Sequence, residues 1–333
     1  MRTDLRIAIT GAAGATGRAV RDLVAERGIP ADRVRLFEKV SDEAIISEYA
    51  GQPVLIGAPD PEGLSDRDLV FLCGSEDESS RCLLWPRRGG SLFVDFSGAA
   101  AVSSGAPVVH LGVNPDALAP RPVTVAAPHA ISFAVSAVLA PLEREFGILD
   151  AAALALRPAS DFGEAGLEEL HRQTVGILNF TEIPQDVFGA QLAFNILPGS
   201  AGGAGGGELP LEARLATEIA RILGWSESRA TVRTLVVPVF HGHVVLIRVR
   251  TGKAVETETV NRLLKRAPGL ELVRDLGGES SPASVRGAGG IKVFEAAPDG
   301  TGEGGFWLRV LGGDLRAEAA TNAVEIAERV LSG

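Results

Sequence analysis

Residues 9–27 read ITGAAGATGRAVRDLVAER, and this stretch decides how the chain begins to fold. An apolar strand from Leu5 to Ile9 runs into a glycine-rich turn. The turn opens a helix in which Ala19, Val20, Leu23 and Val24 share one face. Each glycine has a separate use. Gly11 lets the chain reverse sharply, Gly14 has no Cβ to block a close phosphate, and Gly17 lets the helix lie near the strand. The helix start at Ala15 and Thr16 then offers free N–H groups and the positive end of its dipole to a pyrophosphate. Strand, glycine turn and amphipathic helix in this order open a nucleotide-binding α/β domain.

The second strand, VRLFE, ends at Glu38. An acidic group about 20 positions beyond the last glycine is where such a site hydrogen-bonds the ribose hydroxyls, which favours NAD. Lys39 beside it could equally meet the 2′-phosphate of NADP, and Glu38 could simply solvate a strand end. Two more apolar runs, DLVFLCG (68–74) and SLFVDFSG (91–98), end in small or polar residues. Such ends line the ligand crevice of a parallel sheet. A helix is expected to hold Arg81 to Pro86 between them.

Composition bounds the rest. A chain of 333 residues accommodates two domains and buries ample core without disulfides. Its net charge of −10, with no local concentration of Lys and Arg, excludes a nucleic-acid surface. There are two cysteines, Cys73 and Cys82, no secretory apolar region and no run long enough to span a bilayer, so the cytoplasm is the expected compartment with no membrane partner. The five histidines show no metal-ligand spacing beyond His241-Gly-His243, and no metal is expected. A mean hydropathy of +0.19 suggests an apolar surface buried between subunits.

Further along, VTVAAPHAISFAVSAVLAPLEREFG (123–147) is a strand, a proline turn and a long buried helix, in which Ser132 is expected as the N-cap. LDAAALALRPASD is a strand entering a loop, and GLEELHRQTVGIL is an amphipathic helix. Gly199 to Pro210 reads as a flexible loop. LEARLATEIARILGW is a helix ending at Gly224. TVRTLVVPVFHGHVVLIRVR (231–250) has the pattern of an antiparallel sheet interrupted at Pro238 and Gly242, and its Val232 to Val249 stretch is expected to build a dimer face. FWLRVLGGDLRAEAATNAVEIAERVL closes the chain with a strand, a turn and a helix expected to pack back on the first domain. His110 and His171 read as ordinary strand and helix-surface residues. His129, in a turn, is suited to an anion.

Taken in order, GAAGATG, VNPDAL, APHAISFAVSAVLAPL, QLAFNILP (191–198), VPVFHGH (237–243) and LRAEAATNAVEIAE resemble the aspartate-semialdehyde dehydrogenases over nearly the whole chain. Within that family the run DVFGAQLAFNILP and the altered centre resemble the Usg-like paralogues. The resemblance implies an α/β fold in two parts. A Rossmann-type dinucleotide-binding domain would span residues 1–126, completed by the carboxyl-terminal helix at 315–333. A mixed α/β domain at 127–314 would carry catalysis and homodimerisation. Active members serve amino-acid biosynthesis and reduce aspartyl phosphate through a cysteine thioester, with a histidine as acid and base and NADPH as hydride donor.

Carried over residue by residue, the resemblance places Ala130 where the nucleophilic cysteine belongs, and Arg157 where a glutamine assists the thioester. Val236 stands where an arginine grips the substrate carboxylate, and Ala99 to Ala101 where an arginine holds phosphate. His243 keeps the acid–base position, and Glu218 with Arg221 keeps the pair that meets substrate amine and phosphate. Asn322 matches a residue near the nicotinamide. The implied cofactor-facing set is Gly11, Gly14, Ala15, Thr16, Gly17, Glu38, Cys73, Gly74, Ser97 and Asn322. Three functions are compatible with this pattern. The first is a paralogue that binds NAD or NADP and an unidentified small ligand without thioester chemistry. The others are an active dehydrogenase using another nucleophile, such as Cys73 or a Ser132 unit with His129, Asp161 or His243, and a non-covalent reductase with His243 as proton donor. Without a thiol beside it, His243 also reads as a hydrogen-bonded structural histidine.

Overall fold

A computed structural model describes residues 1–39, 45–203, 210–274, 280–285, 290–301 and 304–332. They form two compact units, Met1–His129 with Arg316–Gly333, and Ala130–Leu315.

The first unit is built on a seven-stranded sheet of order β3-β4-β2-β1-β5-β6-β7. Its strands are β1 (Ile7–Thr10), β2 (Val34–Phe37), β3 (Ile45–Tyr49), β4 (Gln52–Gly57), β5 (Leu69–Leu72), β6 (Leu92–Asp95) and β7 (Thr124–Ala126). All pairings are parallel except the β3–β4 hairpin. β1, β5 and β6 are buried at every position, because a parallel sheet has both faces covered. β1 lies between β2 and β5, so the chain leaves it in opposite directions across the sheet. The carboxyl end of β1 is therefore the switch point where an α/β sheet opens a crevice. α1 (Ala15–Glu26) turns Val20 and Val24 inward. The terminal helix α9 (Leu315–Ser332) adds Ala320, Ala323, Val324, Ile326 and Ala327 to the same core. Asn322 ties α9 down. Its amide accepts from Leu111 N–H and donates to the Val109 carbonyl, both at 2.9 Å.

The helix expected around Arg81 to Pro86 begins earlier, as α3 (Glu76–Leu83), because Ser75 caps it by accepting from Glu78 N–H. Between α2 (Pro61–Ser65) and α4 (Ala99–Ser103), β6 delivers Asp95, whose fully buried carboxylate organises the following turn. It accepts from Ser97 N–H at 2.9 Å, Ser97 hydroxyl at 2.6 Å and Ala100 N–H at 2.8 Å. His110 is not in a strand. It follows the single bridge Val108–Ala126 and is 6% exposed.

The second unit holds an eight-stranded mixed sheet of order β12-β13-β15-β11-β8-β10-β9, with β14 also on β15. The strands are β8 (Ile148–Arg157), β9 (Leu197–Pro198), β10 (Ala230–Val236), β11 (His243–Thr251), β12 (Leu270–Val273), β13 (Ile291–Phe294), β14 (Ala297–Pro298) and β15 (Gly305–Gly312). The antiparallel pair expected across Pro238 and Gly242 does not form. β8 intervenes, parallel to β10 and antiparallel to β11. α5 (Ala130–Phe146) is buried nearly all round and packs against α7 (Leu211–Leu223), α8 (Thr257–Leu264), β8 and β11. Ser132 is not its N-cap. The helix already begins at Ala130, and the buried Ser132 hydroxyl donates to the Leu215 carbonyl at 3.4 Å. α6 (Gly163–Leu178) carries His171 on its exposed side. Of the glycine-rich loop, Ala201–Gly203 form a 3-10 turn, and residues 204–209 lie outside the described residues.

Two consequences for stability follow. Burial lowers the His110 pKa from the ordinary 6.5 to about 4, and its Nδ1 accepts from Gly112 N–H at 3.1 Å, which needs the neutral ring. The unfolded chain therefore binds the extra proton between about pH 4 and 6.5. Stability is complete above 6.5 and is lost as pH falls through that window, by roughly 3 kcal/mol. Urea unfolding of His110→Gln should show a flatter dependence there than wild type. Asp95→Ala would strand three buried donors at about 1–3 kcal/mol each. The urea midpoint should fall by the equivalent of at least about 3 kcal/mol with an unchanged slope, and by less in Asp95→Asn.

Candidate functional site

In the first unit, the glycine turn follows β1 directly. Gly11 has φ +59°, and a Cβ there would meet Gly74 N at 2.5 Å and Cys73 C at 2.6 Å. A Cβ on Gly17 would collide with the Gly11 carbonyl oxygen, whereas at Gly14 the nearest atom is 3.2 Å away. Gly11 and Gly17 are thus required by the close approach of turn, helix and β5 end, whereas Gly14 has an extended backbone, φ −69° and ψ 164°, that any residue can adopt. Gly14 caps α1 without a side-chain hydrogen bond. The geometry of a helix leaves the N–H groups of Ala15, Thr16 and Gly17 without intrahelical acceptors, aimed out of the turn. Such an arrangement of free N–H groups favours an anion.

Glu38 stands immediately after β2 and reaches this turn. Its carboxylate accepts from Ala13 N–H at 2.9 Å and from Lys39 N–H at 3.2 Å. Lys39 is exposed. Cys73 and Gly74 follow β5, with Gly74 packed so closely on Glu78 that a Cβ would strike its carboxylate. Burial first, then the carboxylates of Asp95, Glu78 and Glu38, push the Cys73 thiol well above its ordinary range. Burial, with Glu38 next, likewise raises the Glu78 pKa. Ser97 is buried, its hydroxyl donating to Asp95 and accepting from Ala99 N–H. Ala99, Ala100 and Ala101 are buried in α4. Both ends of the Asn322 amide are spent on backbone groups.

The second unit begins with α5, whose first residue, Ala130, is 5% exposed and follows residues 127–129 of the first unit directly in the chain. Arg157 ends β8 and His243 begins β11, each one residue beyond the Val244–Leu156 pair. A 3-10 turn (Ala159–Phe162) follows β8 and is pinned by Ala159 N–H to Val239 O at 2.8 Å and Ser160 N–H to Phe240 O at 3.0 Å. It returns Asp161 between the two. Arg157 Nε donates to Asp161 Oδ2 at 2.7 Å, and His243 Nε2 lies 2.9 Å from Asp161 Oδ1. Arg157 Nη1 donates to the Gly199 carbonyl at 3.2 Å, and its guanidinium lies 5.0 Å from the centre of the Phe162 ring. All three polar side chains are 5% exposed or less.

Val236 is fully buried at the end of β10. Glu218 is buried on α7. Arg214, one turn earlier, donates to it at 2.7 Å, while Arg221 is exposed in the last turn. Asp161 and Arg214 complete these clusters, and sequence reading assigned Arg214 no role. The available signal was an acid and an arginine four residues apart, the spacing that faces two side chains across one turn. No group of three or more metal-binding side chains occurs among the described residues. None of their helices is long and apolar enough to cross a membrane.

Residues 6–120 match the family model described as semialdehyde dehydrogenase, NAD binding domain, and residues 139–294 match semialdehyde dehydrogenase, dimerisation domain. An aspartate-semialdehyde dehydrogenase of Streptomyces akiyoshiensis is 31% identical over 341 residues, covering 98% of each chain. A USG-1 protein homolog of Azotobacter vinelandii is 29% identical over 345 residues, covering 99% of each. The solved structure of a probable aspartate-semialdehyde dehydrogenase from Pseudomonas aeruginosa superposes with a TM-score of 0.84 at 25% identity over 98% of each chain. With both domains matched and these relatives aligned end to end, the chain belongs to the semialdehyde dehydrogenase family and carries its NAD(P)-binding and dimerisation domains.

Proposed function

We propose that this protein is a homodimeric semialdehyde dehydrogenase paralogue that binds a nicotinamide dinucleotide and a small ligand but performs no thioester chemistry. The observation that carries this reading is Ala130. A methyl group at the first residue of α5, where the family nucleophile belongs, cannot attack a carbonyl. Neither cysteine supplies a substitute in the second unit, since both lie in the first. A nucleophilic thiol must ionise, and burial pushes Cys82 up to about 12 and Cys73 up as well. The other changed positions agree. Val236 and Ala99 to Ala101 offer no charge to a carboxylate or phosphate, and Arg157 is engaged by Asp161.

The residues that would hold the dinucleotide are the glycine turn and the Ala15–Gly17 amides for its pyrophosphate, and Glu38 for a ribose, which favours NAD over NADP. When bound, the nicotinamide supplies hydride. A second reading, hydride transfer without a covalent step, is favoured by the His243–Asp161 contact, because a carboxylate-oriented histidine can exchange a proton with a substrate oxygen.

The homodimer is supported by the matched dimerisation domain and by one sheet face of the second unit. There Leu154, Leu156, Leu235 and Leu246 are half-buried, and Trp307 is 41% exposed. Leu246→Lys on that face should convert a dimer to a monomer in sedimentation. A wild type that sediments as a monomer at micromolar concentration would remove the homodimer.

The decisive test is phosphate-dependent oxidation of aspartate semialdehyde with NAD and NADP, run beside direct nucleotide binding. Wild type should be silent while binding nucleotide, and Ala130→Cys should be compared with it. Turnover by wild type that iodoacetamide abolishes would overturn the loss of thioester chemistry. Turnover indifferent to iodoacetamide would select the non-covalent reading.

A further inference from the structure

Arg157, Asp161 and His243 are buried together, and the arrangement leaves one atom over. His243 Nδ1 is buried and has no hydrogen-bond partner among the described residues. Its other nitrogen faces Asp161 Oδ1 at 2.9 Å, while Arg157 occupies Oδ2 at 2.7 Å. The guanidinium and carboxylate charges cancel, so the ring meets a compensated pair rather than a bare anion.

Three protonation states can be weighed. With the proton on Nδ1 only, the Nε2 lone pair would face a carboxylate oxygen at 2.9 Å, lone pair against lone pair. With both nitrogens protonated, a charged N–H at Nδ1 would be buried without an acceptor, at more cost than an unmet neutral group. With the proton on Nε2 only, the ring donates to Asp161 and buries just an unused lone pair. That state costs least. Resting on the reading that His243 has no thiol to serve, we infer that Asp161, braced by Arg157, is a positioning residue that holds His243 as the Nε2–H tautomer and makes Nδ1 a buried acceptor.

The test is nitrogen NMR of the full-length, ring-15N-histidine protein near neutral pH without ligand, with the His243 signals identified by their loss in His243→Gln. Wild type should show Nε2 protonated and Nδ1 bare, with the Nε2–H form in at least about tenfold excess. In Asp161→Asn, whose amide can also donate to the ring, that excess should fall. A wild-type ring protonated at Nδ1 or at both nitrogens would overturn the inference. So would a folded Asp161→Asn protein with an unchanged tautomer. Should that variant not fold, the wild-type spectrum still decides. These spectra need no turnover, so dehydrogenase activity alongside an Nε2–H ring would defeat the proposed function and leave this inference standing.

Discussion

The first unit depends on one contact, the approach of Gly17 on α1 to the Gly11 carbonyl oxygen. Any side chain at residue 17 would occupy the same space as that oxygen, so the helix could not lie against the turn. Gly11 is held as firmly, because its positive φ and the backbone of Cys73 and Gly74 leave no room for a Cβ. With both positions bare, α1 starts at the end of β1 and points its free N–H groups out of the turn. The same register lets Ala12 N–H reach the Phe37 carbonyl at 3.0 Å and brings the Glu38 carboxylate onto Ala13. The dinucleotide cradle is thus a consequence of how closely three backbones pack.

Buried charge is met in two ways. In the first unit, Asp95 is solvated by backbone and hydroxyl donors of its own turn, and the nearby Glu78 and Cys73 are driven toward their neutral forms by burial. In the second unit, Glu169 is likewise held by the Val187 and Phe188 N–H groups, whereas Arg157 pairs with Asp161 and Arg214 with Glu218. Removing one member of such a pair leaves the other uncompensated, so the pair acts as a unit. Around the Arg157–Asp161 pair the second unit is apolar at both Ala130 and Val236, which are buried.

The residues of the glycine turn, the apolar runs of β1, β5 and β6, and the amphipathic stripes of α1 and α7 were legible because their requirements are local. A Cβ collision, a period of 3.6 and a continuous apolar run all lie within a few residues of one another. The hairpin of β3 and β4 and the strands from β12 to β14 were not legible, because they are short, half-exposed and carry weak alternation. The Ser132 cap failed because α5 starts two residues earlier, beyond the proline turn. The β10–β11 pairing failed because adjacency in sequence does not show which strand inserts between two others.

By itself the sequence determined the α/β class, the NAD(P)-binding domain that opens the chain and the family, each of which follows from residue types at fixed spacing. The tertiary structure alone decided which charges meet. Arg157 could have faced solvent, substrate or any acid, and only the 3-10 turn after β8 returns Asp161 to it and to His243, 82 residues further along the chain. Glu218 meets Arg214 because the two stand one turn apart on α7. Local geometry is written in neighbouring residues. The partner of a buried charge is set by which segments the fold brings within about 3 Å of each other.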